Sequence, residues 1–266
     1  MEYKNKHKDL ITNHYTNVYV EDERFIRPSH KIEFTTTMKY IHDYLSKGCR
    51  ILEVGAGTGA YSVSLAKEGY NVTAVDLTPS NVDIINSKIK GMNNITAMQG
   101  DALNLKFDDE TFDIVLNLGP MYHLFNQKDK DRAIAESIRV CKKGGICIFA
   151  YISHGSIVWG YGVRKNRVPD LMRCMDKKGN FIDIPDELFV SHNVNDFKSF
   201  FNKTNTTYLK NVATDGLFPA MRDYIDDGVM NEEDYQNLVK WHLLTCERED
   251  MQGVSGHLIY ICRKNK

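Results

Sequence analysis

Between residues 49 and 152 short apolar runs alternate with amphipathic stretches, and this cadence constrains the chain more than any other feature. A strand, a helix and a second strand in succession bury their apolar residues together only as a βαβ unit, so repeated units build a parallel sheet with helices on both faces. Residues 50–54 read as the first strand, 58–68 as a helix that Gly69 stops, 71–76 as the second strand, and 81–90, led in by Pro79, as the second helix. Residues 94–98 and 112–118 give the third and fourth strands. A helix over 128–141 then leads through Lys143-Gly144-Gly145 to a fifth strand at 146–152.

After Ser153 the rhythm breaks, and residues 154–200 mix glycines, aromatics and charges as an inserted helical cap with loops. Residues 206–213 are strand-like, 221–226 and 232–248 helical, and 257–262 a last strand; an N-terminal helix over 32–45 packs beside the first strand. The expected organisation is a lid or packing segment at 1–48, a Rossmann-like core at 49–152, the cap at 153–202 and a C-terminal completion of the sheet at 203–266. The fold class is α/β, doubly wound.

The 34 basic and 35 acidic residues leave a net charge of −1, so no global field draws a polyanion such as nucleic acid. Basic clusters stand at 4–8, 164–167 and 263–266. The longest apolar run, 146–152, is far short of the roughly 20 residues that cross a bilayer, and the polar start lacks a secretory apolar core. Cys49, Cys141, Cys147, Cys174, Cys246 and Cys262 are spread without a C-x-x-C pair, which suits reduced thiols in a cytoplasmic protein and implies no metal site.

Glu53-Val54-Gly55-Ala56-Gly57-Thr58-Gly59 follows a strand and opens a helix. Glycines there let the backbone turn sharply beside a ligand, and the free N–H groups of the helix start offer donors. Asp76, about 20 residues on at the end of the second strand, can accept ribose hydroxyls, which by itself fits NAD equally. Glu53 stands where dinucleotide-binding folds place an apolar residue, and a carboxylate there suits an ammonium group, which S-adenosylmethionine carries and NAD lacks. Asp101 can accept from an adenine amine while the Ala102 N–H meets a ring nitrogen. Three acids at successive strand ends line the edge where open α/β sheets bind ligands.

On these residues the chain resembles the class I S-adenosylmethionine-dependent methyltransferases. Residues 53–59 match their glycine-rich first motif, Asp76 their ribose acid, Gly100-Asp101-Ala102 their adenine motif, and residues 142–148 the turn and strand after their fourth crossover helix. The resemblance implies a mostly parallel, seven-stranded sheet whose last strand is antiparallel. It also implies a cofactor site of Glu53, Gly55, Ala56, Gly57, Gly59, Asp76, Leu77, Asp101, Ala102 and Leu118, with S-adenosylhomocysteine as product. Tyr15 and Tyr19, spaced i, i+4, belong to a segment that in many relatives closes over the cofactor. Residues 117–123 are faintly similar to the N-P-P-Y motif of amino-methyltransferases, but Gly119 stands where the acid or amide belongs and Met121 replaces the second proline. That departure assigns no amine acceptor.

Methyl transfer from a sulfonium needs alignment, dryness and, for a protonated acceptor, a base. His123, with Tyr122 beside it, is the expected catalytic group. Trp159, Tyr161 and Arg164 in the cap, and Arg222, Trp241, His242 and His257 beyond it, are weaker candidates for the acceptor pocket. A cap of this size suits a small-molecule O, N or C acceptor. RNA or protein acceptors, a non-catalytic cofactor-binding protein and an NAD-dependent oxidoreductase are the competing readings. Oligomeric state is not legible.

Overall fold

The computed structural model describes residues 2–17, 24–181 and 188–266. Helices α1 (Glu2–Asn17) and α2 (Pro28–His42) precede the sheet. Then follow β1 (Arg50–Val54), α3 (Ala60–Lys67), β2 (Asn71–Asp76), α4 (Pro79–Lys88), β3 (Ile95–Gln99), β4 (Phe112–Asn117), α5 (Gln127–Val140) and β5 (Cys141–Ser153). Five strands lie parallel in the order β3-β2-β1-β4-β5, as the alternating pattern requires. Because β1 and β4 are covered on both faces, they are almost continuously apolar and buried rather than alternating.

The pleat sorts this apolar sequence into two layers. Ile51, Val72, Ile114, Ile148 and Ile261 share one core with Ile41 of α2, Leu65 of α3 and Ile85 of α4. Leu52, Val115, Cys147, Phe149 and Leu258 share the other with Ala133, Ile134 and Ile138 of α5. Five of the six cysteines are buried, Cys174 is half-buried, and all six are free thiols.

Two departures from the sequence reading have clear causes. The Lys143-Gly144-Gly145 turn is absorbed into β5, which starts at Cys141; the pairing with β4 shifts register between Phe112 and Ile114 to accommodate it. The cap segment also divides. Its first part carries a helical turn (His154–Ser156), a wide π-helical stretch (Ile157–Val163) and α6 (Val168–Arg173). Its second part joins the body: β6 (Ser191–His192) pairs parallel with the end of β5, and α7 (Val194–Ser199) sends Phe197 into the second core.

The chain finishes with β7 (Thr206–Ala213), α8 (Arg222–Asp226), α9 (Glu232–Thr245), α10 (Glu249–Gln252) and β8 (His257–Lys264). Strand β8 inserts antiparallel between β5 and β7, giving the expected antiparallel strand, with β6 as an eighth, two-residue addition. No described helix is long and apolar enough to cross a membrane.

Candidate active site

The carboxyl ends of β1, β2, β3 and β4 open onto one cleft. Gly55 and Gly57 form its floor in left-handed conformations, φ +75° and +55°. At Gly55 glycine is also required by space: a Cβ would stand 2.6 Å from Pro120 Cδ. The reverse contact explains the departure at residue 119, because a Cβ on Gly119 would stand 2.9 Å from the Gly55 carbonyl oxygen. The loop after β4 packs directly on the glycine loop, so no larger side chain fits there.

Asp76 is buried at the cleft wall. The Gly57 N–H donates to its Oδ2 at 2.8 Å, while the Thr78 N–H and the Asn81 amide donate to Oδ1 at 2.8 and 3.1 Å. Burial raises its pKa above the ordinary carboxylate range, against the pull of these donors. Asp101 sits at the end of β3, where Oδ1 accepts from the Leu103 N–H at 2.9 Å and Oδ2 from Lys8 Nζ at 2.5 Å. That lysine comes from α1.

Helix α1 lies along the cleft with Lys8, Ile11 and Tyr15, spaced i, i+3 and i+7 and thus on one face, among the lining residues. At the far end Tyr15 meets His123, whose Nε2 is 3.1 Å from the Tyr15 hydroxyl and whose Nδ1 is 2.9 Å from the Leu188 carbonyl oxygen. A carbonyl only accepts, so Nδ1 carries a proton, and in the neutral ring Nε2 is the atom that accepts from Tyr15. The Tyr122 hydroxyl donates to the Leu118 carbonyl at 3.0 Å.

Of the residues expected from sequence, Gly55, Gly57, Asp76, Leu77, Asp101, Ala102, Tyr122, His123 and Tyr15 line this cleft. Glu53, Ala56, Gly59 and Leu118 are not among its lining residues. Glu53 is fully buried and accepts a hydrogen bond from the Ser62 hydroxyl of α3, which turns it toward the helix. Gly59 starts α3, with φ +87° and a Cβ position 3.0 Å from the Ile85 and Val63 side chains. Tyr19 lies outside the described residues, as does the side chain of Tyr161. Sequence reasoning missed Lys8 and Ile11, whose helical spacing with Tyr15 was the available signal. It also missed Leu124, Phe125 and Asn126, which precede α5 and line the same cleft.

Among the described residues, none of the weaker candidates lines the cleft. Trp159 and Trp241 are solvent-exposed, and His242 is wholly buried with Nε2 3.2 Å from the Thr36 hydroxyl. His257 belongs to a group that no sequence spacing announces: Glu33, Asp215 and His257 bring one potential ligand atom each within 4.8 Å of one another. Nearby donors engage both carboxylates. Arg24 clamps both Glu33 oxygens at 2.6 and 2.8 Å, and Asp215 Oδ1 accepts from the Ser255 hydroxyl and the Gly256 and His257 N–H groups. The His257 Nδ1–H donates to Asp215 Oδ2 at 2.7 Å. Burial opposes the charged imidazole, but Glu33 and Asp215 outweigh it and raise its pKa above the ordinary value. This is an ion-pair staple between α2, the loop after β7 and the start of β8.

Residues 51–145 match the methyltransferase domain family. A demethylmenaquinone methyltransferase from Thermobifida fusca is 37% identical over 107 residues, which is 39% of this chain and 44% of that protein. A 2-methyl-6-phytyl-1,4-hydroquinone methyltransferase from Oryza sativa subsp. japonica is 32% identical over 106 residues, 39% of this chain and 29% of that protein. Among solved structures, a SAM-dependent methyltransferase from Methanosarcina mazei superposes with a TM-score of 0.56 at 17% identity, covering 85% of this chain and 97% of that one. The chain spans about half or less of the length of the curated relatives it matches.

Proposed function

Because this chain carries a class I methyltransferase domain, we propose that it transfers a methyl group from S-adenosylmethionine to a small-molecule acceptor. The observation that carries this reading is the cleft itself, with Asp76 and Asp101 on the walls beside the glycine loop and the Tyr15–His123 pair at the end of α1. When bound, S-adenosylmethionine supplies a methyl group activated by a positive sulfur. The protein's share is alignment, exclusion of water and a place for the acceptor's proton.

Asp76 receives the ribose hydroxyls, its carboxylate already aimed by Gly57, Thr78 and Asn81. Asp101 divides its oxygens between Lys8, the Leu103 N–H and an adenine amine. Since the Nδ1–H of His123 is spent on Leu188, a proton leaving the acceptor is taken up at Nε2, with the Tyr15 hydroxyl as its partner. Glu53, which accepts from the Ser62 hydroxyl beneath the loop, helps hold the ammonium group directly or through water.

The relatives' names make quinones and hydroquinones the first acceptors to try, although their similarity covers less than half of this chain. Thermal unfolding with S-adenosylhomocysteine or NAD tests the cofactor, since a ligand stabilises only the state it binds, by about 2.7 kcal/mol at 100 times its Kd. Stabilisation by S-adenosylhomocysteine alone is the expected result. Stabilisation by NAD alone, or by neither, overturns the reading. A labelled-methyl screen against demethylated quinones, metabolite pools and bulk RNA then identifies the acceptor, which is expected in the small-molecule fractions.

A further inference from the structure

Three arginines far apart in sequence converge around α8, the short helix that follows β7 at the carboxyl edge of the sheet. Arg222 opens α8, Arg164 comes from the cap and Arg27 immediately precedes α2. Hydrogen bonds fix the juxtaposition. Arg164 Nη2 donates to Asp223 Oδ1 at 2.8 Å, one residue from Arg222. Asp226, one turn on, accepts from the Ser29 N–H at 3.0 Å and the Ser29 hydroxyl at 2.8 Å, two residues from Arg27.

The local charge does not balance. Asp223 is 69% exposed, and Asp226 has both oxygens engaged by Ser29, so Arg222 Nε reaches it only at 3.4 Å. The Arg27 guanidinium has no ion pair or hydrogen bond among the described residues. His30 of α2 adds a titratable group; burial, then Arg222, lowers its pKa, while Glu33 pulls the other way. Arg222 itself holds its proton less tightly than an ordinary arginine, first through burial and then through Arg164 and Arg27. An arginine does not shed its proton to relieve such crowding, whereas an oxyanion relieves it directly, because guanidinium groups match carboxylate and phosphate oxygens in pairs.

We propose that Arg27, Arg164 and Arg222 form an oxyanion subsite that takes a carboxylate or phosphate group of the methyl acceptor. Its occupant rests on the methyltransferase reading; the anion site itself does not. None of the three lines the cleft beside the glycine loop; Arg222 opens the helix that follows β7 and Arg164 belongs to the cap that follows β5, so the subsite holds a part of the acceptor remote from the transferred methyl. A net charge of −1 over the whole chain makes this a local site rather than part of a polyanion track.

The test is calorimetric titration of the full chain, saturated with S-adenosylhomocysteine, with inorganic phosphate and separately with acetate at constant ionic strength. One saturable site for either anion is expected, the tighter anion naming the acceptor's group. Arg27→Gln and Arg164→Gln, both at exposed positions, should each weaken it about tenfold, the worth of one charge-assisted contact. Absence of saturable binding by both anions overturns the proposal, and so does wild-type affinity in the variant lacking both arginines. S-adenosylhomocysteine binding is read in the same samples: its absence from the wild type would strike the methyltransferase reading, whereas its presence without anion binding strikes only the subsite.

Discussion

The glycine-loop side of the molecule and the side built around α8 and the start of β8 are assembled by different means. On the glycine-loop side the two acids are held largely by backbone, Gly57 and Thr78 N–H groups on Asp76 and the Leu103 N–H on Asp101, with Lys8 of α1 added to Asp101. Around α8 and the start of β8 the contacts cross the chain, from Ser29 to Asp226, from Arg164 to Asp223, and from Asp215 to His257. Backbone-built sites demand particular residues at fixed offsets and so leave motifs. Side-chain sites assembled over long separations leave only scattered charged residues that resemble ordinary surface.

The sharpest way to break this contrast is at its seam, where α1 meets His123. His123→Ala should lower methyl transfer at least about 100-fold, the scale of a lost general base, with S-adenosylhomocysteine affinity nearly unchanged. Tyr15→Phe, which removes only the hydroxyl facing Nε2, should lower it less and shift the pH–rate profile. Full turnover in His123→Ala would remove the base from the mechanism. Next in size is Gly119→Ala. Its Cβ meets the Gly55 carbonyl, a backbone atom that cannot swing aside, so overpacking should cost about 1–3 kcal/mol in denaturant unfolding and weaken S-adenosylhomocysteine binding as the glycine loop shifts. Wild-type behaviour would show that the two loops are not locked together.

What was legible follows the same division. The five parallel strands, the antiparallel last strand and the positions of Asp76 and Asp101 could be read because each is fixed by local alternation or by an offset from the glycine loop. Lys8 escaped because its meaning depends on α1 lying across Asp101, 93 residues away. Glu53 was read as a ligand group because dinucleotide-binding folds place an apolar residue there; its hydrogen bond from Ser62, nine residues on, was not legible from that position. Residues 188–199 were grouped with the cap for want of a βαβ cadence, yet a two-residue strand is too short to show any. Gly119 looked like a defective catalytic motif, and only the 2.9 Å approach to Gly55 explains it.

Acid sensitivity should separate the body from the cap. His192, at the seam between β5 and α7, is buried, and burial, followed by Lys130 and His154, pushes its pKa down to about 3. The folded state therefore keeps this ring neutral while the unfolded chain takes up a proton below its ordinary value near 6.5, so stability falls as pH falls through that window. At about 1.4 kcal/mol per pH unit, roughly 2 kcal/mol is lost between pH 6.5 and 5. Urea titrations of wild type and His192→Asn at both pH values should differ by that amount; parallel losses would mean that other groups carry the acid response.

The smallest expected effect lies in the cap and turns on one side chain. Leu171 is buried against Gly162, where a Cβ would stand 2.4 Å from Leu171 Cδ1, while Met172 beside it is 63% exposed. Met172→Ala should change stability by less than about 0.5 kcal/mol. Leu171→Ala removes the contact that holds α6 to the π-helical stretch, but few cap residues enter the two sheet cores, so the loss should appear as local opening rather than global unfolding. Trypsin cleavage at Arg167 and Arg173 should accelerate with the thermal midpoint almost unchanged. A midpoint that drops with the cleavage rate would show instead that cap and sheet unfold as one unit, and the contrast between the two sides would then be one of construction only, with no difference in local stability.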